Sequence, residues 1–260
     1  MSDETNPGGL TYRSYLELDR LLTCQRPRSV PPHPDELHFI VTHQAIELWF
    51  RLVVDDVRRA RDALVERRWG DALAVMRRAG VVTDVTTAQM LTLMELPPPA
   101  FHQFRPFLGT ASGLESVQFR RIEVLSGLRD PAYLDRLRET HAGRLPVEVA
   151  RDLSESSLAD AHRAAGAQEG IVDWDELYDN RGHDPMVYLF SEALLDYDRS
   201  WQRWRAEHLA LVGRMLGGQV MGTGRTTDAY LRGRLDTRFF PHLWQARSAL
   251  ALRAGGIRAD

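Results

Sequence analysis

The sequence predicts an all-α fold, and three observations carry that reading. Two long segments, residues 36–67 and 185–217, place their apolar side chains at the 3.6-residue period of a helix. No convincing series of alternating, strand-like segments occurs between them. Proline and glycine clusters punctuate the chain where helices would end, so helices packed on helices is the architecture that follows.

Taken in order, residues 1–10 read as a mobile tail and residues 11–260 as one helical domain. TYRSYLELDRLLTCQ predicts a short amphipathic helix with Tyr15, Leu16, Leu18, Leu21 and Leu22 on its apolar side. The prolines at 27, 31, 32 and 34 forbid its continuation, and Asp35 is placed to cap the long helix that follows. In that helix Leu37, Ile40, Val41, Leu48, Trp49 and Leu52 form the main apolar stripe, while Phe39, Ile46 and Phe50 form a second flank on which His43 lies. Residues 69–96 read as helical hairpins with a break near Gly80, PPPAFHQFRPFLGTASG as a loop-rich passage, and ESVQFRRIEVLSGL as helix again.

Residues 128–166 give shorter, more polar helical pieces. From Pro185 to Gly217, Phe190, Leu194, Tyr197, Trp201, Trp204, His208, Leu211 and Met215 fall within an arc of roughly 100°. His208 therefore sits inside a core stripe. GGQVMGTGRTTDAY is a glycine- and threonine-rich loop, and one or two further helices around Pro241 close the chain.

With 260 residues, 43% hydrophobic and 27% charged, the chain has ample material for a core, and its net charge of -3 gives no overall footprint for nucleic acid or an anionic membrane. The one cysteine, Cys24, excludes an internal disulfide, a four-cysteine zinc site and a C-x-x-C-H heme attachment, and fits a reducing cytoplasm. MSDETNPGGL has no apolar leader region, and no stretch approaches the roughly 18 apolar residues of a membrane span.

Several side chains have chemistry to offer. His208, among Trp201, Trp204, Leu211 and Met215, has the surroundings of a heme ligand, although a core histidine satisfied by a carbonyl or water has the same spacing. His43, one turn after Phe39, carries the same two readings, and Glu47 one turn later reads as a tether for a neighbouring arginine. Arg105, among Phe101, Phe104 and Phe107, suits a bidentate carboxylate contact or a surface stack. Ser112 reads as a turn and N-cap. The GTG at 222–224 lacks the third glycine of G-x-G-x-x-G and any G-K-[ST], so it is no nucleotide motif, while Thr223 retains a hydroxyl for a polar ligand. There is no H-E-x-x-H, and Asp35 with His38 needs no metal to explain it.

Three of these stretches, in order, resemble the tryptophan 2,3-dioxygenase family of heme-dependent oxygenases. FIVTHQAIELWF resembles the family's F-I-x-x-H-Q-x-x-E-L-W helix, and FRPFLGTASGLESVQFRRIE its F-R-x-x-L-x-x-x-S-G-x-x-S-x-Q-[FY]-R segment. WRAEHLALVGRMLG followed by GTG resembles its heme-ligand helix and substrate loop, and the likeness runs from about Tyr12 to Trp244. The resemblance implies a helical bundle enclosing a b-type heme, with His208 as the axial iron ligand, in a homotetramer. It implies dioxygen and L-tryptophan or a close derivative as substrates, joined across the indole C2–C3 bond to give N-formylkynurenine. By the same resemblance His43 faces the indole N–H, Phe39 packs on the ring, Arg105 clamps the carboxylate and Thr223 holds the ammonium. Phe101, Leu108 and Ser112 then line the pocket, and Tyr12 and Leu16 come from a neighbouring subunit.

The loop departs from the family pattern G-T-G-G-[ST]-[ST]-G, placing Arg225 and Asp228 at two glycine positions, and His208 to Thr223 is one residue longer. That departure motivates an alternative, a mono-oxygenase giving a hydroxylated indole or oxindole. A non-catalytic heme-binding helical protein is the further alternative.

Overall fold

A computed structural model describes residues 9–109, 111–179, 184–217 and 228–255, and among these every regular element is helical. Of the expected N-terminal tail, residues 1–8 lie outside the described residues. The first elements are two single-turn helices, α1 (Tyr12–Tyr15) and α2 (Leu18–Leu21), in place of the one expected helix. Glu17 between them has a positive φ of 48°, which ends the first turn. Tyr12, Tyr15, Leu16, Leu21 and Leu22 are all exposed, so these turns lack the core contact that would extend a short amphipathic helix.

Helix α3 (Glu36–Val65) starts as expected, but Asp35 makes no side-chain cap. Glu36 does the anchoring instead. Its buried carboxylate accepts the N–H of Arg28 (2.6 Å) and of Ser29 (3.0 Å) together with the Ser29 hydroxyl, tying the proline connector to the first helical turn. The main apolar stripe expected on α3 is only partly covered, and the second flank is the more deeply buried. Ile46, Phe50, Val53, Val54, Val57 and Leu64 are buried, whereas Leu37, Val41 and Leu48 are 48%, 46% and 57% exposed. The helix is apolar on two sides: the flank bearing Phe39, Ile46 and Phe50 meets the core, and of the main stripe Trp49 and Leu52 pack against it too.

Helix α4 (Trp69–Leu91) passes through Gly80 without a break. A mid-helix glycine costs about 1 kcal/mol, and burial of Ala79, Val82, Thr83, Thr86 and Thr87 around it outweighs that cost. The passage expected to be loop-rich is largely helical too: α5 (Pro98–Phe104) begins with proline at its first position, where no N–H is needed, and a 3-10 turn covers Arg105–Leu108. Then follow α6 (Val117–Ser126), α7 (Pro131–Thr140), α8 (Val147–Leu153), α9 (Leu158–Gln168), α10 (Pro185–Leu216), α11 (Asp228–Arg232) and α12 (Pro241–Arg253). α4 packs against both α3 and α10, and α6 and α9 cover α3. No helix of the described residues is long and apolar enough to cross a membrane.

Two buried polar clusters lock the C-terminal part onto this frame. The Asp198 carboxylate on α10 accepts the N–H of Phe239 (2.8 Å), the N–H of Phe240 (3.2 Å) and the Trp244 indole N–H (3.0 Å), fixing the entry to α12. Toward the N-terminal end of α10, the Ser191 hydroxyl donates to the Val187 carbonyl and so accepts from His162 Nε2 at 3.0 Å. His162 Nδ1 is then the acceptor for His242 Nε2–H at 3.2 Å. Trp174 stacks on His162 with centroids 4.2 Å apart, and a Cβ at Gly166 would lie 2.5 Å from that indole, so only glycine admits the stack.

Burial holds His162 well below the usual histidine pKa and, with repulsion from Arg163, brings His242 to about 4. Both rings are neutral in the fold, while the unfolded chain takes up protons below about pH 6.5. Stability is therefore fully retained above that pH and falls as the pH drops toward 4. We expect His242→Phe to make the fall shallower than in the parent protein, by at most about 1.4 kcal/mol per pH unit, as measured by urea unfolding between pH 7 and 4.5.

Candidate active site

A cavity of about 510 Å³ lies between α3, α5, α6, α10 and α11. Phe39, His43, Phe101, Arg105, Leu108, Ser112 and His208, all singled out in the sequence, line it together. Thr223 lies outside the described residues, as do the loop positions up to 227. Tyr12 and Leu16 are not brought to this cavity: they sit 76% and 40% exposed on the N-terminal turns.

Helix α3 presents Phe39 and His43 one turn apart, their ring centroids 4.1 Å from each other, and Phe101 of α5 closes on Phe39 at 5.7 Å. His43 Nδ1 lies 2.7 Å from the Phe39 carbonyl, an acceptor, so Nδ1 carries the proton and Nε2 is left with its lone pair. His43 keeps open surface where it lines the cavity, with Phe39 packed on one side of its ring. Desolvation there lowers its pKa, against the smaller opposing effect of the carbonyl, and keeps it neutral.

Helix α10 presents His208 from another wall. Burial, together with repulsion from His43 and Arg120, brings its pKa to about 4, which leaves a neutral imidazole, the form that binds metal. Among the described residues it makes no hydrogen bond, and the Trp204 indole stacks on it. Ser112 caps the short 3-10 turn Gly113–Glu115, accepting the Leu114 N–H at 3.3 Å while the Glu115 carboxylate returns to the Ser112 N–H. Its capping role and its place on the cavity wall coexist. Glu47 also borders the cavity, but among the described residues it tethers no arginine.

Sequence reasoning missed a charged group on the same cavity wall. Glu123 of α6 is buried with three guanidiniums around it: Arg120 Nη1 at 2.6 Å, Arg234 Nη2 at 2.9 Å and Arg205 Nη2 at 3.8 Å. The Tyr133 hydroxyl donates to it at 2.8 Å. Burial alone would raise the Glu123 pKa, but Arg120, Arg234 and Arg205 outweigh it and hold the carboxylate below its usual range. Even with Asp198 beside Arg205, positive charge is in excess here. Arg120 Nε, Arg205 Nη2 and Trp204 Nε1 are buried donors with no hydrogen-bond acceptor among the described residues. The signal for part of this group was present in the quoted QFR, which ends on Arg120. Among the described residues no three His, Cys, Asp or Glu side chains gather to form a metal site of their own.

The sequence pattern of the family described as tryptophan 2,3-dioxygenase matches residues 2–175 and 175–250. The chain belongs to that family. A tryptophan 2,3-dioxygenase of a Nocardioides species is 40% identical over 257 residues, covering 93% of this chain and 95% of that protein. The tryptophan 2,3-dioxygenase of Anaeromyxobacter dehalogenans is 35% identical over 262 residues (93% and 96%), and that of Pseudomonas aeruginosa PAO1 is 32% identical over 262 residues (93% and 90%). Family membership agrees with the all-α architecture and with the oxygenase class of the resemblance.

The Glu123 group gives the site its own stability test. Glu123→Gln removes the one carboxylate shared by three guanidiniums and should lower unfolding free energy by about 3 kcal/mol, as expected for breaking a buried ion pair. Glu66→Gln, which loosens only an exposed pair with Arg68, should change it by less than about 1 kcal/mol in the same urea titration.

Proposed function

We propose that this protein joins dioxygen to the indole C2–C3 bond of L-tryptophan, giving N-formylkynurenine, with heme b held by His208. The observation that carries the reading is the meeting of two neutral imidazoles, His43 and His208, in one largely apolar cavity beside Phe39 and Arg105. The relatives' shared name supplies the substrate.

The residues fit the cofactor. His208 offers a neutral nitrogen from an apolar wall, and the orphaned donors of Arg120, Arg205 and Trp204, with the excess positive charge around Glu123, suit a group bearing carboxylates. When bound, ferrous heme supplies the electrons that activate dioxygen. The chain's part is to bind, orient and exclude water. Because His43 Nδ1–H is committed to the Phe39 carbonyl, Nε2 can accept a hydrogen bond from the indole N–H. Phe39 and Phe101 offer aromatic faces to the ring, Leu108 and Ser112 complete the wall, and Arg105 makes a bidentate contact with the substrate carboxylate. Thr223 takes the ammonium.

The exposed apolar surface supports an assembly. Tyr12, Tyr15, Leu16, Leu21 and Leu22 on the N-terminal turns, and Leu37, Val41 and Leu48 on α3, are exposed among the described residues. In our reading a homotetramer covers them, with Tyr12 and Leu16 reaching a neighbour's cavity, and residues 11–260 acting as one domain. The exposed free thiol of Cys24 suits a reducing cytoplasm.

Expressed with heme supply, the protein should show a heme Soret band that His208→Ala abolishes; a wild-type protein without the band contradicts the reading. Arg105→Ala should weaken tryptophan binding about 10- to 100-fold, the worth of a charge-assisted pair, while leaving indole binding within about twofold. Unchanged affinity for tryptophan would remove the carboxylate clamp. The acid limb of kcat/KM should lie below the ordinary histidine pKa of about 6.5, because His43 loses its acceptor only when protonated and burial lowers its pKa.

A further inference from the structure

Trp204 precedes His208 by one helical turn, and its indole lies parallel to the imidazole, with centroids 5.1 Å apart and 7° between the planes. Side chains four apart on a helix meet readily, so the contact alone says little. What sets this pair apart is that the indole is gripped from three further directions. Phe119 of α6 lies 4.9 Å from it, Trp201 of α10 5.9 Å and Phe50 of α3 6.1 Å, the last two near edge-on. Phe50, Phe119 and Trp201 are themselves buried and in mutual contact, so on its core side the half-buried indole is held against a close-packed aromatic wall. His208, by contrast, is tied by no hydrogen bond among the described residues.

Resting on the reading that His208 holds heme, we infer that Trp204 is the positioning residue for that ligand: its face sets the rotation of the His208 imidazole. Rotation of the ring about its bond to iron decides how the ligand's π orbitals meet those of the metal. A ring oriented by stacking has one setting, and a ring freed from the stack has several. The cost of keeping four aromatic rings at one point of the wall is repaid in a fixed ligand.

The test uses the heme-loaded full chain with Trp204→Phe and Trp204→Leu. Ferric electron paramagnetic resonance and the ferrous iron–histidine stretching band report ligand orientation, which a merely structural residue would not move. Trp204→Phe keeps an aromatic face and should retain the wild-type signals. Trp204→Leu should spread the ferric signal over several rhombicities, broaden the stretching band and lower kcat about tenfold with KM within about twofold. Wild-type spectra in Trp204→Leu overturn the inference. Should that variant fail to load, Phe119→Leu leaves both rings and loosens the grip: a broadened band supports the inference and a wild-type band overturns it. A wild-type protein that takes up no heme defeats the proposed function itself, whereas normal wild-type loading with unchanged variant spectra defeats only the role of Trp204.

Discussion

The site depends on one aromatic junction. Phe50 from α3, Phe119 from α6 and Trp201 with Trp204 from α10 meet within 4.9–6.1 Å of one another, and three groups at the cavity stand on the helices that carry that cluster. His43 is two turns before Phe50, Arg120 follows Phe119, and His208 is one turn after Trp204. Rings at these separations and tilts attract through their quadrupoles as well as by excluding water, and their stiffness leaves few alternative packings. Three helices are thereby held so that His43, Arg120 and the neutral imidazole of His208 face one space.

Electrostatics then divides that space. On the Phe39 side the wall is apolar, and His43 and His208 stay neutral because burial makes a charged ring costly. Toward α11 the wall carries Arg120, Arg205 and Arg234 around Glu123, more positive charge than its carboxylates balance. The heme of the proposed function, a planar group with carboxylates on one edge, would suit both halves.

The long helices were legible because thirty or so residues of sustained period leave little ambiguity; the cap of α10, Asp184 accepting the Met186 N–H, came from the structure. Which face of α3 is buried was not legible. Leu37, Val41 and Leu48 are as apolar as Ile46 and Phe50, and only tertiary packing distinguishes core from uncovered surface. Gly80 and the prolines at 97–99 misled for a related reason: local punctuation is weak, and packing of α4 between two helices or a proline at a helix start overrides it. At the site, His43, Arg105 and His208 stood out through motif order, whereas Glu123, Arg205 and Arg234 had no local signature. Their meaning lies in convergence from α6, α10 and the turn after α11, and convergence is a property of the fold alone.

In the proposed reaction the cavity holds an indole so that both atoms of dioxygen are added to it. The direct measurement is mass spectrometry of the product made from L-tryptophan under isotopically labelled dioxygen. Ring-opened product carrying two labelled oxygen atoms is expected. An intact indole or oxindole carrying one would contradict it, and would place the departures at Arg225 and Asp228 at the centre of the chemistry.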